Sequence, residues 1–298
     1  MQGPAMPDDS SSTAQIRPSG AALGADVSGI DLAAPSDADI AAIRRAWLDH
    51  LVLRFRDCRI DDRQHVALAR RFGELDFNPG TRLTGKVYVD GIPEIVRISN
   101  IVQDGRAIGE LGAGEADWHT DMCFIDEPPA ASLLRSLEVP SQGGQTSWLD
   151  MYGAYETLPE ELNRAVVGRS IKHDSVYASA GKQRPGTTAP ARGDVRDIPG
   201  AVHPIVRTHP ETGRRCLYLG KRFNAYVVGL PLAESEALLD RLWAHLAALP
   251  ARHIWTQNWR VGDLLMWDNR CTMHRREAFD DSERRLLHRV VVKGSRPV

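Results

Sequence analysis

The chain has 298 residues, 42% hydrophobic and 26% charged, with a formal net charge of −2. That is the composition of an ordinary globular protein, long enough for one large domain or two small ones with a closed core. Near-zero net charge gives no global push toward nucleic acid or an anionic membrane surface, and no apolar run approaches the roughly 18 residues of a membrane span.

The opening stretch, MQGPAMPDDSSSTAQ, lacks the apolar and basic regions of a signal peptide. Residues 1–16 are expected to be a disordered tail, followed by a single domain over 17–298. Glycines and short apolar runs over 17–35 suit a short strand and turns. Ser36 or Asp37 can cap a helix through about His50, with Ile40, Ile43, Trp47 and Leu51 at helical spacing. LVLRFR (51–56) reads as a strand. Asp61 or Asp62 can cap a second helix carrying Val66, Leu68 and Phe72, which Gly73 can end. The glycine-rich, charged segment 80–117 holds one evident strand, 94–99.

From residue 118 strand signals dominate: 118–124, 130–139, 144–151, 203–209, 216–220, 263–269, 271–275 and 286–294. Helical patterns interrupt them at 150–168 and 232–248. The stretch 177–200, rich in Gly, Pro, Arg and Thr, reads as a long loop of the kind that forms lids. Late strands flanked by helices predict a mainly β protein with flanking helices (α+β), built on a two-sheet jelly-roll core. No GxGxxG follows a strand, which argues against a dinucleotide fold. Cys58, Cys123, Cys216 and Cys271 are far apart and form no CxxC pair. Reduced thiols in a cytoplasmic protein are the simplest reading. Cys123 and Cys271 lie near the metal motif described next, but as small buried hydrophobes rather than pocket residues.

The most informative feature is His119-Thr120-Asp121, answered by His274 and then by Arg285 and Arg289. On an extended strand residues i and i+2 share a face, so His119 and Asp121 can grip one ion with Thr120 turned away. A second histidine from another strand completes two imidazoles and one carboxylate. That set favours Fe(II) and leaves positions open for a co-substrate and dioxygen. The arginines add a cationic anchor for a dicarboxylate, through a planar guanidinium suited to a bidentate grip. The bland alternatives are hydrogen-bonded core histidines, and arginines paired with Glu283 or Asp281 at the surface.

The segments GADVSGIDL, RRFGEL, WHTDMCF, PSQGGQTSW, HPIVRTHPETGRRCLYL, WRVGDLLMWDNRCTMHR and RRLLHRVVV occur in one order. In them the chain resembles the taurine dioxygenase / 2,4-dichlorophenoxyacetate dioxygenase family of Fe(II)- and 2-oxoglutarate-dependent oxygenases, over residues 17–298. The resemblance implies that His119, Asp121 and His274 are iron ligands, and that Thr146 and Arg285 hold 2-oxoglutarate. It implies that Arg289 lies near the same pocket and meets an anionic substrate, and that Trp267 lies beside the iron. The implied cofactors are Fe(II), 2-oxoglutarate and O2. The implied reaction is hydroxylation, with cleavage where the hydroxylated carbon bears a heteroatom. Asp121 argues against halogenation.

The family's sulfonate-binding histidine and pocket tyrosine correspond here to Asn78 and Thr81, which argues against taurine as substrate. Met122, Phe223, Asn224 and Tyr226 fall where relatives place substrate-facing residues. His65, His173, His203, His209 and His253 read as structural or exposed, and His288 as facing away from Arg289. The basic run after His274 reads as a solvated strand end. A small anionic substrate is the expected partner, with neither nucleic acid nor membrane, and a homodimer or tetramer is left open. A desaturase or cyclase of the same family, or a metal-binding jelly-roll protein without redox chemistry, are the alternatives.

Overall fold

Strand Leu264–Asp268 sits inside the larger sheet, and its side chains divide by parity. Leu264 and Met266 enter one apolar cluster, Leu265 and Trp267 another. Both faces of the sheet are therefore covered, as a run of five buried residues requires. A computed structural model describes residues 12–77, 81, 85–179, 181–184, 186–189 and 194–298. The larger sheet runs in the order Gln15–Pro18, Ala25–Ser28, Val52–Phe55, Leu264–Asp268, Ala131–Glu138, Leu286–Val292, Val96–Ser99, Glu110–Leu111. Leu75–Asp76 pairs additionally with Leu286–Val292. The smaller sheet runs Ile254–Gln257, Thr146–Asp150, Thr272–Arg276, Ala116–His119.

One face of the larger sheet packs on helices Asp37–His50 and Asp62–Arg70, through Ile43, Trp47, Val66 and Leu68 against Leu53, Leu133, Met266 and Val290. Each helix begins with a reciprocal capping box, Ser36 with Asp39 and Asp61 with Gln64, which satisfies end N–H groups that have no partner within the helix. The other face meets the smaller sheet: Leu134, Leu265, Trp267 and Leu287 lie in one cluster with Trp148, Leu149 and Met273. Helix Leu232–Ala247 closes this second core with Leu238, Leu239, Leu242 and Leu246. The protein is mainly β with flanking helices, as expected. None of its described helices is long and apolar enough to cross a membrane.

Two expected elements are each split in the structure. The single helix at 150–168 is two, Met151–Glu156 and Glu160–Val166. Pro159 stands between them and disfavours helical geometry in the residue before it. The single strand at 203–209 is also two, Val202–Pro204 and Val206–Thr208, each paired in a different small sheet. Ile205 is the junction: its N–H donates to the Arg169 carbonyl and its own carbonyl accepts from Tyr218. At the other end of the chain, Gln15–Pro18 is already paired with Ala25–Ser28, two residues inside the expected tail, and residues 1–11 lie outside those described.

Asp268 ends the central strand fully buried. It takes Arg270 Nε and Nη2 at 2.8 and 2.6 Å, and His209 Nε2 at 3.1 Å. His209 Nδ1 accepts the N–H groups of Glu211 and Thr212, so the ring proton is on Nε2 and points at the carboxylate. Burial opposes ionisation of Asp268, yet Arg270 and His209 outweigh it and hold the carboxyl well below its ordinary range. Cys271 lies close by, but Asp268 and His209 are committed to this network, which is structural. Asp268→Ala removes the acceptor of Arg270 and His209 and leaves Arg270 paired with Glu211 alone, so it is expected to cost about 1–3 kcal/mol in a urea unfolding titration. Because the folded carboxyl is depressed, its contribution is fully present above the unfolded value of about 3.9. It fades as the pH falls through the folded value.

Candidate metal centre

Strand Thr272–Arg276 lies between Thr146–Asp150 and Ala116–His119, and its register places His274 opposite both Trp148 and His119. The two imidazoles stand 4.2 Å apart between centroids. Trp148 stacks on His274 at 6.2 Å, and Trp267 from the larger sheet approaches it to 5.2 Å. His119 Nδ1 lies 2.7 Å from the Asp117 carbonyl, which orients the ring and turns Nε2 inward. Asp121 Oδ1 is 3.6 Å from His119 Nε2 and 3.9 Å from His274 Nε2. The three donor atoms all lie within 4.8 Å of one another, a spread that one ion can bridge.

The expected strand geometry of the triplet is not what joins them. The strand ends at His119, and Asp121 sits in the turn that follows. Thr120 is buried rather than turned out, its N–H donating to the Gly220 carbonyl at 2.9 Å. Asn269, next to Asp268 at the end of the larger sheet's central strand, holds that turn. It accepts the Asp121 N–H at 2.9 Å and donates to the carbonyls of Asp121 and Pro129 at 3.0 and 3.1 Å. Sequence reading overlooked Asn269. The available signal was an amide side chain directly after a fully buried strand.

Asp121 is two-sided. Oδ1 faces the imidazoles, and Oδ2 accepts from Arg289 Nη1 at 3.1 Å. Burial disfavours its charge, but Arg289, His274 and His119 outweigh burial and keep the carboxyl far below the usual range. Burial, reinforced by His119, lowers the His274 imidazole to about 3, so it offers a lone pair at neutral pH. Asp121 and His274 are thus deprotonated before any ion arrives, which suits a divalent metal.

A second cluster adjoins the centre. Thr146 Oγ1 accepts from the Trp259 indole at 3.0 Å. The Arg285 guanidinium lies 5.9 Å from the Trp259 ring and 5.9 Å from the Phe279 ring. Arg285 is only 2% exposed, and its Nε and Nη1 have no hydrogen-bond partner among the described residues. Its backbone is pinned on both sides: Asn100 Oδ1 accepts its N–H, and Ser99 donates to its carbonyl. Burial, then the charge of Arg276, lowers its pKa to about 9, so it remains a cation at neutral pH. An enclosed guanidinium with spare donors beside a threonine hydroxyl fits the distal carboxylate of a dicarboxylate. Neither Arg285 nor Arg289 forms the surface pair considered from sequence: Glu283 binds Ser141, and Asp281 faces Asn100. Arg276, expected at a solvated strand end, is buried beside Arg285; only Arg275 of that pair is exposed.

Among the expected substrate-facing residues, Asn78 lies outside the described residues. Thr81 is buried, and Met122 follows Asp121 in the left-handed region, at φ 52°. Asn224 donates to Asp174, and the Tyr226 hydroxyl donates to the Leu230 carbonyl. Phe223 is exposed and meets Tyr177 edge-on at 5.5 Å. The expected lid, 177–200, is described except for residues 180, 185 and 190–193. Arg184 ties it to the turn after Asp121, with its guanidinium 3.9 Å from the Phe124 ring. A cleft of about 610 Å³ opens beside Phe279, with Asn100, Val102 and Lys182 among its walls. His65, His173, His203, His209 and His253 are all buried, and His288 turns to Asp62 on the face opposite Arg289. Of the cysteines, Cys123, Cys216 and Cys271 are buried, and burial raises all four thiols, Cys123 and Cys216 to about 12.

A mainly β chain that joins two histidines, a carboxylate and a buried arginine–threonine pocket is of the class that can bind a metal together with an organic acid. The chain belongs to the family described as taurine catabolism dioxygenase TauD, TfdA family, which matches residues 15–291. It is 34% identical over 282 residues to an (S)-phenoxypropionate/alpha-ketoglutarate-dioxygenase of Delftia acidovorans, covering 90% of this chain and 91% of that protein. A taurine dioxygenase from Burkholderia xenovorans superposes with a TM-score of 0.76 at 33% identity, covering 96% of this chain and 91% of the other. The complex of AAD-2 with Mn(II) and N-oxalylglycine superposes with a TM-score of 0.75 at 29% identity, covering 96% and 99%.

Asn269→Ala removes three hydrogen bonds, two to the Asp121 backbone and one to the Pro129 carbonyl. It is expected to destabilise the fold by about 1–3 kcal/mol and to speed exchange of the Asp121 amide hydrogen. An unchanged exchange rate at Asp121 would show that the turn holds itself.

Proposed function

We propose that this chain is an Fe(II)- and 2-oxoglutarate-dependent dioxygenase that hydroxylates a small anionic organic molecule, releasing succinate and CO2. His119, Asp121 and His274 are the iron ligands in this reading, and Thr146 and Arg285 hold the distal carboxylate of 2-oxoglutarate. The observation that carries it is the convergence of two imidazoles and a carboxylate beside a buried arginine that keeps unused donors. The two facing sheets are read as halves of a jelly roll, with residues 17–298 as one domain.

Iron with bound 2-oxoglutarate and O2 supplies the oxidising chemistry. The protein's own residues position and enclose. Asp117 and Asn269 fix the ligand set by gripping His119 and the Asp121 backbone. Trp148 and Trp267 wall His274 from water. Arg289 holds Asp121, and its buried Nε has no partner among the described residues, so one donor is left for a substrate anion. The phenoxypropionate named for the Delftia relative is such an anion. Asn78 and Thr81 at the sulfonate-reading positions keep taurine out of the proposal. Met122, Phe223, Asn224 and Tyr226 border the substrate side, and the segment 177–200 is the lid, fastened by Arg184 over Phe124. Buried free thiols fit a cytoplasmic setting.

The test is succinate release from 2-oxoglutarate with Fe(II), across a panel of aryloxyalkanoates, alkyl sulfates, sulfonates and acylated amino acids. A product heavier by one oxygen, or lacking a fragment, identifies hydroxylation or cleavage. His119→Ala and Asp121→Ala are each expected to lose more than the roughly 10–100-fold that removal of a ligand's own support costs. Full turnover in either variant would refute the ligand assignment.

A further inference from the structure

Resting on the reading of Asp121 as an iron ligand, we propose that Asp174, paired with Lys221, is a positioning residue for it. One buried carboxylate gathers the ties that hold the turn on which Asp121 sits. Asp174 is fully buried, and Lys221 is only 6% exposed. Both oxygens of Asp174 are engaged. Oδ1 accepts the N–H groups of Val176 and Tyr177 at 2.6 and 3.2 Å. Oδ2 accepts from Lys221 Nζ at 3.2 Å and from Asn224 Nδ2 at 3.1 Å. Lys221 also donates to the Tyr177 carbonyl, which accepts from Arg184 Nη1 as well. The chain after His173 and the chain after Gly220 are thus drawn to one point.

Both pieces of chain bear on the metal turn. The carbonyl of Gly220, one residue before Lys221, accepts the Thr120 N–H at 2.9 Å. Gly220 presses close against that turn. Its φ is 66°, and a Cβ there would lie 2.8 Å from Cys123 Sγ and would collide with the His173 ring. The N–H of His173, one residue before Asp174, donates to the Ala201 carbonyl at 2.9 Å, and the Ala201 N–H donates to the Phe124 carbonyl at 3.0 Å. Arg184, held by the Ser175 and Tyr177 carbonyls, lies 3.9 Å from the Phe124 ring. Thr120 and Phe124 flank Asp121 in sequence, so these three ties meet the turn on both sides of the ligand, and each leads back to Asp174. Asn269 grips the Asp121 backbone itself. A buried ion pair is a weak source of stability, because both charges lose their water. What Asp174 and Lys221 supply is a fixed geometry for the turn.

The experiment compares the full unmodified chain with the double variant Lys221→Met/Asp174→Asn and with Ile43→Val. The double variant removes both charges together, so neither is left buried alone, and the amide oxygen can still accept the Val176 N–H. Ile43→Val trims the core on the other face of the larger sheet and controls for lost stability. Two quantities are read: amide hydrogen exchange over residues 119–125 without metal, and Mn(II) affinity from the paramagnetic resonance of the free ion. The double variant is expected to exchange faster over 119–125 and to bind Mn(II) about 10–100-fold more weakly, the range for loss of a group that supports a ligand. Ile43→Val should match the unmodified chain in both. Asn224→Ala, which removes one donor to Asp174, should move both readings the same way to a smaller extent, and it serves should the double variant not fold. Faster exchange confined to residues 174–187 with unchanged Mn(II) affinity, or equal losses in Ile43→Val, overturns the proposal and leaves the pair purely structural. Mn(II) binding by Asp121→Ala as tight as that of the unmodified chain would instead overturn the ligand reading. The exchange measurement, made without metal, would still decide whether Asp174 holds the turn.

Discussion

The placement of one strand, Thr272–Arg276, between two others fixes the rest of the site. Its antiparallel register sets His274 against His119 on one side and Trp148 on the other, and sets Arg276 against Thr146. A shift of one residue would send His274 and Arg276 to the opposite face, away from Asp121 and Arg285. The aromatic row Trp255, Trp148, His274 resists such a slip, because its rings already stack and tilt against one another. His274, Thr146 and Arg276 are therefore all placed by the same ladder of backbone hydrogen bonds.

The larger sheet supplies what that ladder cannot. Its central strand ends in three consecutive residues with separate tasks: Trp267 against His274, Asp268 into the buried ion network, Asn269 around the Asp121 turn. Arg289, from the edge-ward strand Leu286–Val292, reaches the same carboxylate from the far side. Asp121 is not positioned by its own strand, which has already ended. It is positioned by an amide and a guanidinium delivered from the facing sheet. This explains how a turn residue can be part of a rigid donor set.

Much of this was legible in the sequence, for identifiable reasons. Helix Asp37–His50 has its cap and its 3.6-residue stripe written in Ser36, Asp39, Ile43 and Trp47. The triplet His119-Thr120-Asp121 stood out because His119 and Asp121 lie in an apolar stretch, where unpaired polar groups are costly. The family resemblance then carried Thr146, Arg285 and Arg289, whose spacing alone says little. Other features were not legible. Whether Asp121 lies on a strand or a turn depends on Asn269, some 150 residues away in sequence and 2.9 Å away in space. Burial of Arg276 depends on the neighbouring Phe279 segment and could not be read from a run of charges. The two split elements turn on Pro159 and on the paired bonding of Ile205, one a local signal and the other not.

The four cysteines acquire a further meaning in a protein that would activate oxygen. Three are sealed in the interior, and all four thiols are held protonated more firmly than a free cysteine. Protonated sulfur is a poor target for peroxide, since the thiolate is the reactive form. Peroxide that reached the interior would therefore meet a protonated thiol even at Cys123, two residues from Asp121.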